Sequence, residues 1–459
     1  MSALFARNAL LEDGWRRGVL LEWDLRGDLT RVLPDAPPPL GVARVDYVVP
    51  GMINLHSHAF QRALAGLAER AGEVSASGSN ADSFWTWREL MYRVANRVTP
   101  EQMEAIAAQV YAECLRHGYT AVCEFHYVQR APGGHAYAPP AETAQRIAQA
   151  ARTSGMGLTL LPVLYAYAGF GDLPLKPEQE RFRSDPESVL RIVDALEPLR
   201  GPQLEVGAAP HSLRAVSGAQ LRALVEALPA GRPLHIHVAE QQLEVGQCVD
   251  ATGARPVEWL MDQANIDARW CLVHATHLSK SETARLAASG AVAGLCPTTE
   301  ANLGDGLFPL AAYVGAGGRF GIGSDSHVSH SPVEELRWLE YGQRLRQQRR
   351  NIAVTDTQRD VATFLWQSAL QGGAQASGRR LGTLAAGRRA DLLVLDSAHP
   401  NLDGATEHEV LGRFLFAGND NLVRDVLAGG HWVVQGGRHK AQDAIAQRYK
   451  TAVRGLAAL

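Results

Sequence analysis

The sequence is poor in the features that mark a membrane protein, a disulfide scaffold or a nucleic-acid surface. No apolar run reaches the roughly 20 residues that a membrane-spanning helix needs. The five cysteines (Cys114, Cys123, Cys248, Cys271 and Cys296) lie apart, with no Cys-x-x-Cys pair. They read as buried thiols of a reducing compartment rather than as staples. Neither sign of charge dominates: 45 basic and 48 acidic residues leave a net charge of −3. That balance excludes a cationic footprint for nucleic acid or an anionic membrane. The first residues, Met1-Ser2-Ala3-Leu4-Phe5-Ala6-Arg7, lack the basic-then-apolar build of a signal peptide. A cytoplasmic protein is expected. No internal repeat or low-complexity segment stands out.

What is present is the composition of a soluble globular protein, with 46% hydrophobic and 20% charged residues. At 459 residues the chain exceeds what one core usually serves, so a large domain with a smaller companion is expected. Residues 10–33 hold short alternating stretches such as Gly18-Val19-Leu20-Leu21-Glu22-Trp23, the pattern of antiparallel strands. From Val48 to Asp325 short apolar strands alternate with Ala-rich helical stretches, the mark of βαβ units. Strands are expected at 47–55, 120–127, 158–166, 204–210, 233–239, 270–275, 291–296 and 320–324. Eight such units imply an α/β fold closed into a (β/α)8 TIM barrel. Helical patterns at 332–350 and 355–376 follow, and then β-like stretches at 390–396 and 431–434. Strands at both chain ends most simply pair, so residues 1–46 and 385–459 are expected to form a small β domain beside a barrel of 47–384. The connection 59–119 is too long for one helix. It holds a flexible Gly/Ser-rich stretch at 72–79 and a helix-compatible one at 84–91. Long loops on this face are commonly lids or binding elements, and 75–83 is a candidate lid.

The chemistry gathers at strand ends, where barrel enzymes place their sites. His56-Ser57-His58 closes the apolar run 47–55. Alternation along a strand turns both imidazoles to one face, which is half of a zinc site. The fifth strand, Pro233-Leu234-His235-Ile236-His237-Val238-Ala239-Glu240, offers His237 as a third nitrogen ligand, with Glu240 just beyond. His235 lies one layer deeper, in a packing or supporting role. The sixth strand ends at His274 and the eighth at Asp325. Three imidazoles and one carboxylate hold Zn²⁺ while leaving room for a water, whose pKa falls to about 7 on the metal. His274 and Glu240 remain to move protons. Taken alone, Asp325 reads as a turn or helix-cap residue. Glu124, inside the second strand, reads as structural.

These residues resemble the amidohydrolase superfamily: His-x-His after strand 1, histidines on strands 5 and 6, and an aspartate on strand 8. The resemblance implies a metal-dependent barrel with a small β-sandwich built from both chain ends. The two-metal branch carries a carboxylated lysine on strand 4. Here strand 4, Leu204 to His211, has no lysine, so the likeness is to the one-metal deaminase branch. Within it, the segments 56–62, 84–89, 125–128 and 209–214 are similar to the formimidoylglutamate deiminase family. Gln129 departs from that pattern, standing where the family is expected to have a histidine.

The resemblance implies a small-molecule dicarboxylate substrate, a single zinc per subunit and a homodimer. A substrate with two carboxylates needs fixed cations, and Arg88 and Arg214 can each grip one bidentately. Tyr127 and His211, both at strand ends, would add directional hydrogen bonds. The implied reaction is hydrolysis of a C=N bond. His274 or Asp325 takes the water's proton, and Glu240 relays a proton to the departing nitrogen. Two rivals stand beside it. One is deamination of a purine, pterin or S-adenosylhomocysteine-like heterocycle by the same barrel. The other is a non-catalytic scaffold, which would tend to have lost the ligands that this chain keeps.

Overall fold

A computed structural model describes residues 2–69 and 84–457. The chain opens with β1 (Ser2–Leu11), β2 (Gly14–Trp23), β3 (Leu29–Leu33) and β4 (Ala43–Pro50). The middle of the chain supplies β5 (Met52–Ser57), β6 (Tyr119–His126), β7 (Gly157–Leu164), β8 (Leu204–Val206) and β9 (Ala209–Pro210). It continues with β10 (Leu234–Val238), β11 (Trp270–His274), β12 (Val292–Leu295) and β13 (Arg319–Ile322). The chain then closes with β14 (Leu392–Leu395), β15 (Val423–Ala428), β16 (His431–Gln435) and β17 (Arg438–His439).

Strands β10, β11, β12, β13, β5, β6, β7 and β8 lie side by side in that order. All are parallel. β9 continues the course of β8 past Gly207 and pairs with β7. Bridges from Ala208 to Leu234 and from Ser212 to His237 join this edge to β10 and close the barrel. Parallel strands covered on both faces read as unbroken apolar runs, and every residue of β5, β6 and β7 is buried. The eight expected strands are therefore found with ends that differ by a few residues, the fourth as the pair β8 and β9.

The first of them differs. Residues 47–55 are not one strand but the end of β4 and most of β5, which belong to different sheets. Gly51 makes the step between them. Its N–H donates to the Asp391 carbonyl at 3.1 Å, and a Cβ here would come within 2.3 Å of the Thr120 side chain. A division at 46/47 thus cuts through β4, and the barrel begins at Met52.

The small sheet runs β17-β16-β15-β14-β4-β1-β2-β3 and draws strands from both chain ends, as expected. It is mixed: β1 and β4 are parallel and the other pairs antiparallel. The last residues leave this sheet. The helix Gln442–Ala457 lies along the barrel helix Pro100–His117, where Arg448 pairs with Glu104 at 2.7 Å.

Barrel helices begin where a side chain accepts from a free backbone N–H, as Thr99, Asp185, Ser217 and Ser279 do. The helix expected at 355–376 spans Val361–Ser377, because Asp360 caps it by accepting from Thr363 N. The one expected at 332–350 spans Pro332–Gln347. All five cysteines are free and buried. Among the described residues no helix is long and apolar enough to cross a membrane. The candidate lid at 75–83 lies outside the described residues.

Candidate active site

β5 ends with His56 fully buried and His58 just past its tip. The turn that presents them is braced from below by Glu124 of β6. Its carboxylate accepts from Ser57 Oγ, from the Ala59 N–H at 2.8 Å and from Tyr111 OH at 3.0 Å. Burial pushes Glu124 up to about 7, against the pull of these donors. Glu124 is thus structural, as its position inside a strand implied.

His237, at the end of β10, completes a triangle of imidazole nitrogens. The Nε2 atoms are 3.1 Å apart for His56 and His58, 3.3 Å for His58 and His237, and 3.0 Å for His237 and His56. Burial holds all three below the usual histidine range, His56 at about 3. A neutral imidazole has one N–H and one bare nitrogen. His58 Nδ1 makes a 2.9 Å bond to the Phe125 carbonyl, which accepts its N–H. His58 therefore turns an electron pair, not a proton, toward the other two rings. Asp325, beyond β13, brings Oδ1 to 3.5 Å from His56 Nε2 and 3.4 Å from His58 Nε2. Burial opposes ionisation of Asp325, but the imidazoles outweigh it and hold the carboxyl below its ordinary range. Donors placed tetrahedrally around zinc at about 2.0–2.1 Å are roughly 3.3 Å from one another. The three imidazoles therefore have the spacing of donors to one divalent ion, and Asp325 approaches two of them at a similar distance.

His274, at the end of β11, stands beside this group. Its Nε2 is 3.7 Å from Asp325 Oδ2 and 3.5 Å from Glu240 Oε1, and its Nδ1 is 3.3 Å from Glu300 Oε1. Burial disfavours its cation, yet Glu240, Glu300 and Asp325 together raise it to about 10. Glu240 is raised by burial to about 7, with His274 and Arg214 pulling it down. Ala239, His274 and Asp325 adopt left-handed backbone, with φ of 50°, 65° and 48°. Such strain costs about 1–3 kcal/mol per residue and gathers where function demands a fixed direction.

A pocket opens from this cluster. Arg88, Arg214, Tyr127 and His211 line it together with His58, His237, Glu240, His274 and Asp325. Arg88 sits on the helix Phe84–Ala95, its guanidinium 5.5 Å from the centroid of the Tyr92 ring. Arg214 is buried, with Nη2 3.9 Å from Glu240 Oε2. Tyr127 OH accepts from Gln61 Nε2 at 2.9 Å. His235 is turned away, and its Nε2 bonds the Ala376 carbonyl at 2.9 Å.

The structure thus brings every candidate site residue but His56 to the lining of one pocket, and His56 lies directly behind it against His58 and His237. The pocket adds Gln61, Tyr92 and Tyr165, and Glu300 adjoins it through His274; sequence reasoning left out all four. Tyr165 follows β7 and Glu300 follows β12 closely, so the strand-end rule applied to every strand would have found both. Tyr92 lies four residues after Arg88 on the helix Phe84–Ala95, and the i, i+4 spacing puts it on the same face.

Residues 47–433 match the amidohydrolase family. The chain is 52% identical to formimidoylglutamate deiminase of Pseudomonas aeruginosa, over 98% of each protein. It is 26% identical to a 5-methylthioadenosine/S-adenosylhomocysteine deaminase of Natronomonas pharaonis, over 86% of this chain and 83% of the other. Among solved structures, an amidohydrolase from Brucella melitensis superposes with a TM-score of 0.93 at 44% identity, with 100% of both chains covered.

Proposed function

This chain belongs to the amidohydrolase family, and from that premise we propose that it hydrolyses N-formimino-L-glutamate to N-formyl-L-glutamate and ammonia. The observation that carries this reading is one pocket lined by two guanidinium groups, Arg88 and Arg214, and by His58, His237 and Asp325, two of which belong to the three-imidazole group His56, His58 and His237. The substrate carries one carboxylate on the carbon that bears the formimino nitrogen and a second at the far end of its side chain. Guanidinium groups bind carboxylates bidentately, and such charged hydrogen bonds contribute about 1.5–3 kcal/mol each.

His56, His58, His237 and Asp325 hold the metal, which we assign as zinc, one per subunit. A divalent ion there supplies Lewis acidity and makes water a nucleophile at neutral pH. Asp325 Oδ2, or His274 Nε2 3.7 Å away once it has passed its own proton to Glu240, takes up the proton of the attacking water. Glu240 Oε1, 3.5 Å from His274 Nε2, delivers a proton to the nitrogen that leaves as ammonia. A carboxyl raised to about 7 can hold and release that proton near neutral pH. Tyr127 and His211 fix the substrate between the cations and the cluster. In the cell we assign this step to histidine breakdown, carried out in the cytoplasm by a homodimer.

The runner-up is deamination of a purine, pterin or S-adenosylhomocysteine-like heterocycle. Aromatic walls such as Trp87 and Tyr165 would suit a ring, but a purine or pterin ring offers two guanidinium groups nothing to neutralise, and S-adenosylhomocysteine offers a single carboxylate. The test is ammonia release by the zinc-loaded protein from N-formimino-L-glutamate, guanine and S-adenosylhomocysteine. Turnover of the first alone supports the proposal. Turnover of a heterocycle in its place overturns it.

A further inference from the structure

The amide of Gln179 decides the direction of two hydrogen bonds at the pocket wall. Gln179 is buried, 1% exposed, in the short turn Pro177–Gln179 that follows β7. Its Oε1 accepts the backbone N–H of Lys176 at 2.9 Å. A backbone N–H can only donate, so the amide has one orientation and Nε2 must point the other way. There it donates to Tyr165 OH at 2.8 Å and to Tyr92 OH at 3.1 Å. Both hydroxyl oxygens are thereby used as acceptors, and their own hydrogens must be given elsewhere.

Both rings line the pocket that holds Arg88 and Arg214. Phe182 packs against them, with centroids 5.9 Å from Tyr92 and 5.6 Å from Tyr165, which limits their movement. Burial raises the Tyr165 phenol far above its ordinary range, so it stays a neutral donor. Were Tyr165 to donate to Tyr92, the Tyr92 hydrogen would still be left for the pocket. A carboxylate offers about four lone-pair sites. Cations attract it from any side, whereas fixed O–H groups give it one orientation.

We infer that Tyr92 and Tyr165, set as donors by Gln179, hydrogen-bond one carboxylate of the substrate and so select a dicarboxylate of the right length. This rests on the formiminoglutamate reading above. Gln179 touches no substrate and is a positioning residue, acting through the two hydroxyls. Had the residue been a glutamate, the same geometry would have taken both hydrogens away from the pocket.

The experiment measures kcat and KM for Tyr92→Phe, Tyr165→Phe and Gln179→Glu on three compounds. These are N-formimino-L-glutamate, N-formimino-4-aminobutyrate (no α-carboxylate) and N-formimino-2-aminobutyrate (no side-chain carboxylate). Each Phe variant should raise KM for the dicarboxylate about ten- to a hundredfold, the worth of a hydrogen bond to a charged group, with kcat little changed. On the analogue lacking the gripped carboxylate the same variants should match the unsubstituted enzyme, which also shows that they fold. Gln179→Glu should raise KM for the dicarboxylate, and more so than when it is introduced beside Tyr92→Phe and Tyr165→Phe. That comparison separates reversed polarity from added charge. Unchanged KM in the Phe variants, or equal losses on all three compounds, overturns the tyrosine assignment alone. An unsubstituted enzyme inert toward N-formimino-L-glutamate overturns the functional reading, and this one with it.

Discussion

Glu240→Gln isolates proton transfer from every other property of the site. The substitution keeps the shape of the side chain and removes only its ability to carry a proton. Glu240 lies outside the set His56, His58, His237 and Asp325, so zinc content should stay at one per chain. Its Oε1 is 3.5 Å from His274 Nε2, the distance of a relay that tightens when substrate binds. A positioned acid–base group contributes about a hundred- to ten-thousandfold, or about 3–5 kcal/mol of barrier. That is the expected fall in kcat. KM should not rise, because Oε2 sits 3.9 Å from Arg214 and its lost charge leaves the guanidinium freer to take the substrate. The assay couples released ammonia to a second enzyme over a range of substrate and measures zinc by mass spectrometry. A kcat within a few-fold of the parent would refute the relay. Loss of zinc would make Glu240 a ligand and sink the same argument from the other side.

Metal binding should distinguish two histidines two residues apart. His237→Asn should lose zinc and activity. His235→Asn should keep both and lose about 1–3 kcal/mol of stability, because it leaves the Ala376 carbonyl unpaired. Equal zinc in the two variants would contradict the assignment. Chelation should lower the melting temperature, since an ion at a thousandfold its Kd adds about 4 kcal/mol; an unmoved Tm would argue against a bound ion. Gly372→Ala should destabilise by about 1–3 kcal/mol or more, because a Cβ there would come within 1.9 Å of the Phe320 carbonyl on β13; denaturant unfolding measures it, and an unchanged midpoint refutes it. Acid should unfold the protein in part through His126, which burial holds at about 3 beside Thr143. The folded value lies below the unfolded 6.5. The unfolded chain therefore takes the proton first, and stability falls as pH drops from 6.5 toward 3, by about 1.4 kcal/mol per unit. None of this loss occurs above pH 7. His126→Gln should flatten that acid limb by one proton, and an unaltered slope would exclude His126.

The metal cluster was legible before any coordinates because it obeys a short-range rule. Strand alternation turns His56 and His58 to one face, and the C-terminal ends of His237's, His274's and Asp325's strands meet at one rim once eight strands close. Other features followed no such rule. The break at Gly51 separates two sheets inside one apolar run, and hydrophobicity is blind to which sheet a residue joins. The docking of the helix Gln442–Ala457 on the barrel wall gave no local signal, because its partner, Pro100–His117, lies far away in sequence.

Local pattern alone was enough to specify an α/β barrel, a small terminal β domain and the three clustered imidazoles, since each depends on periodicity or on the end of a strand. Which proton faces the pocket was settled only by folding. The Lys176 amide orients Gln179, Gln179 orients two tyrosines, and neither tyrosine is near the other in the chain. Hydrogen-bond direction depends on which donor and acceptor are brought within about 3 Å, and only the closed barrel sets that distance.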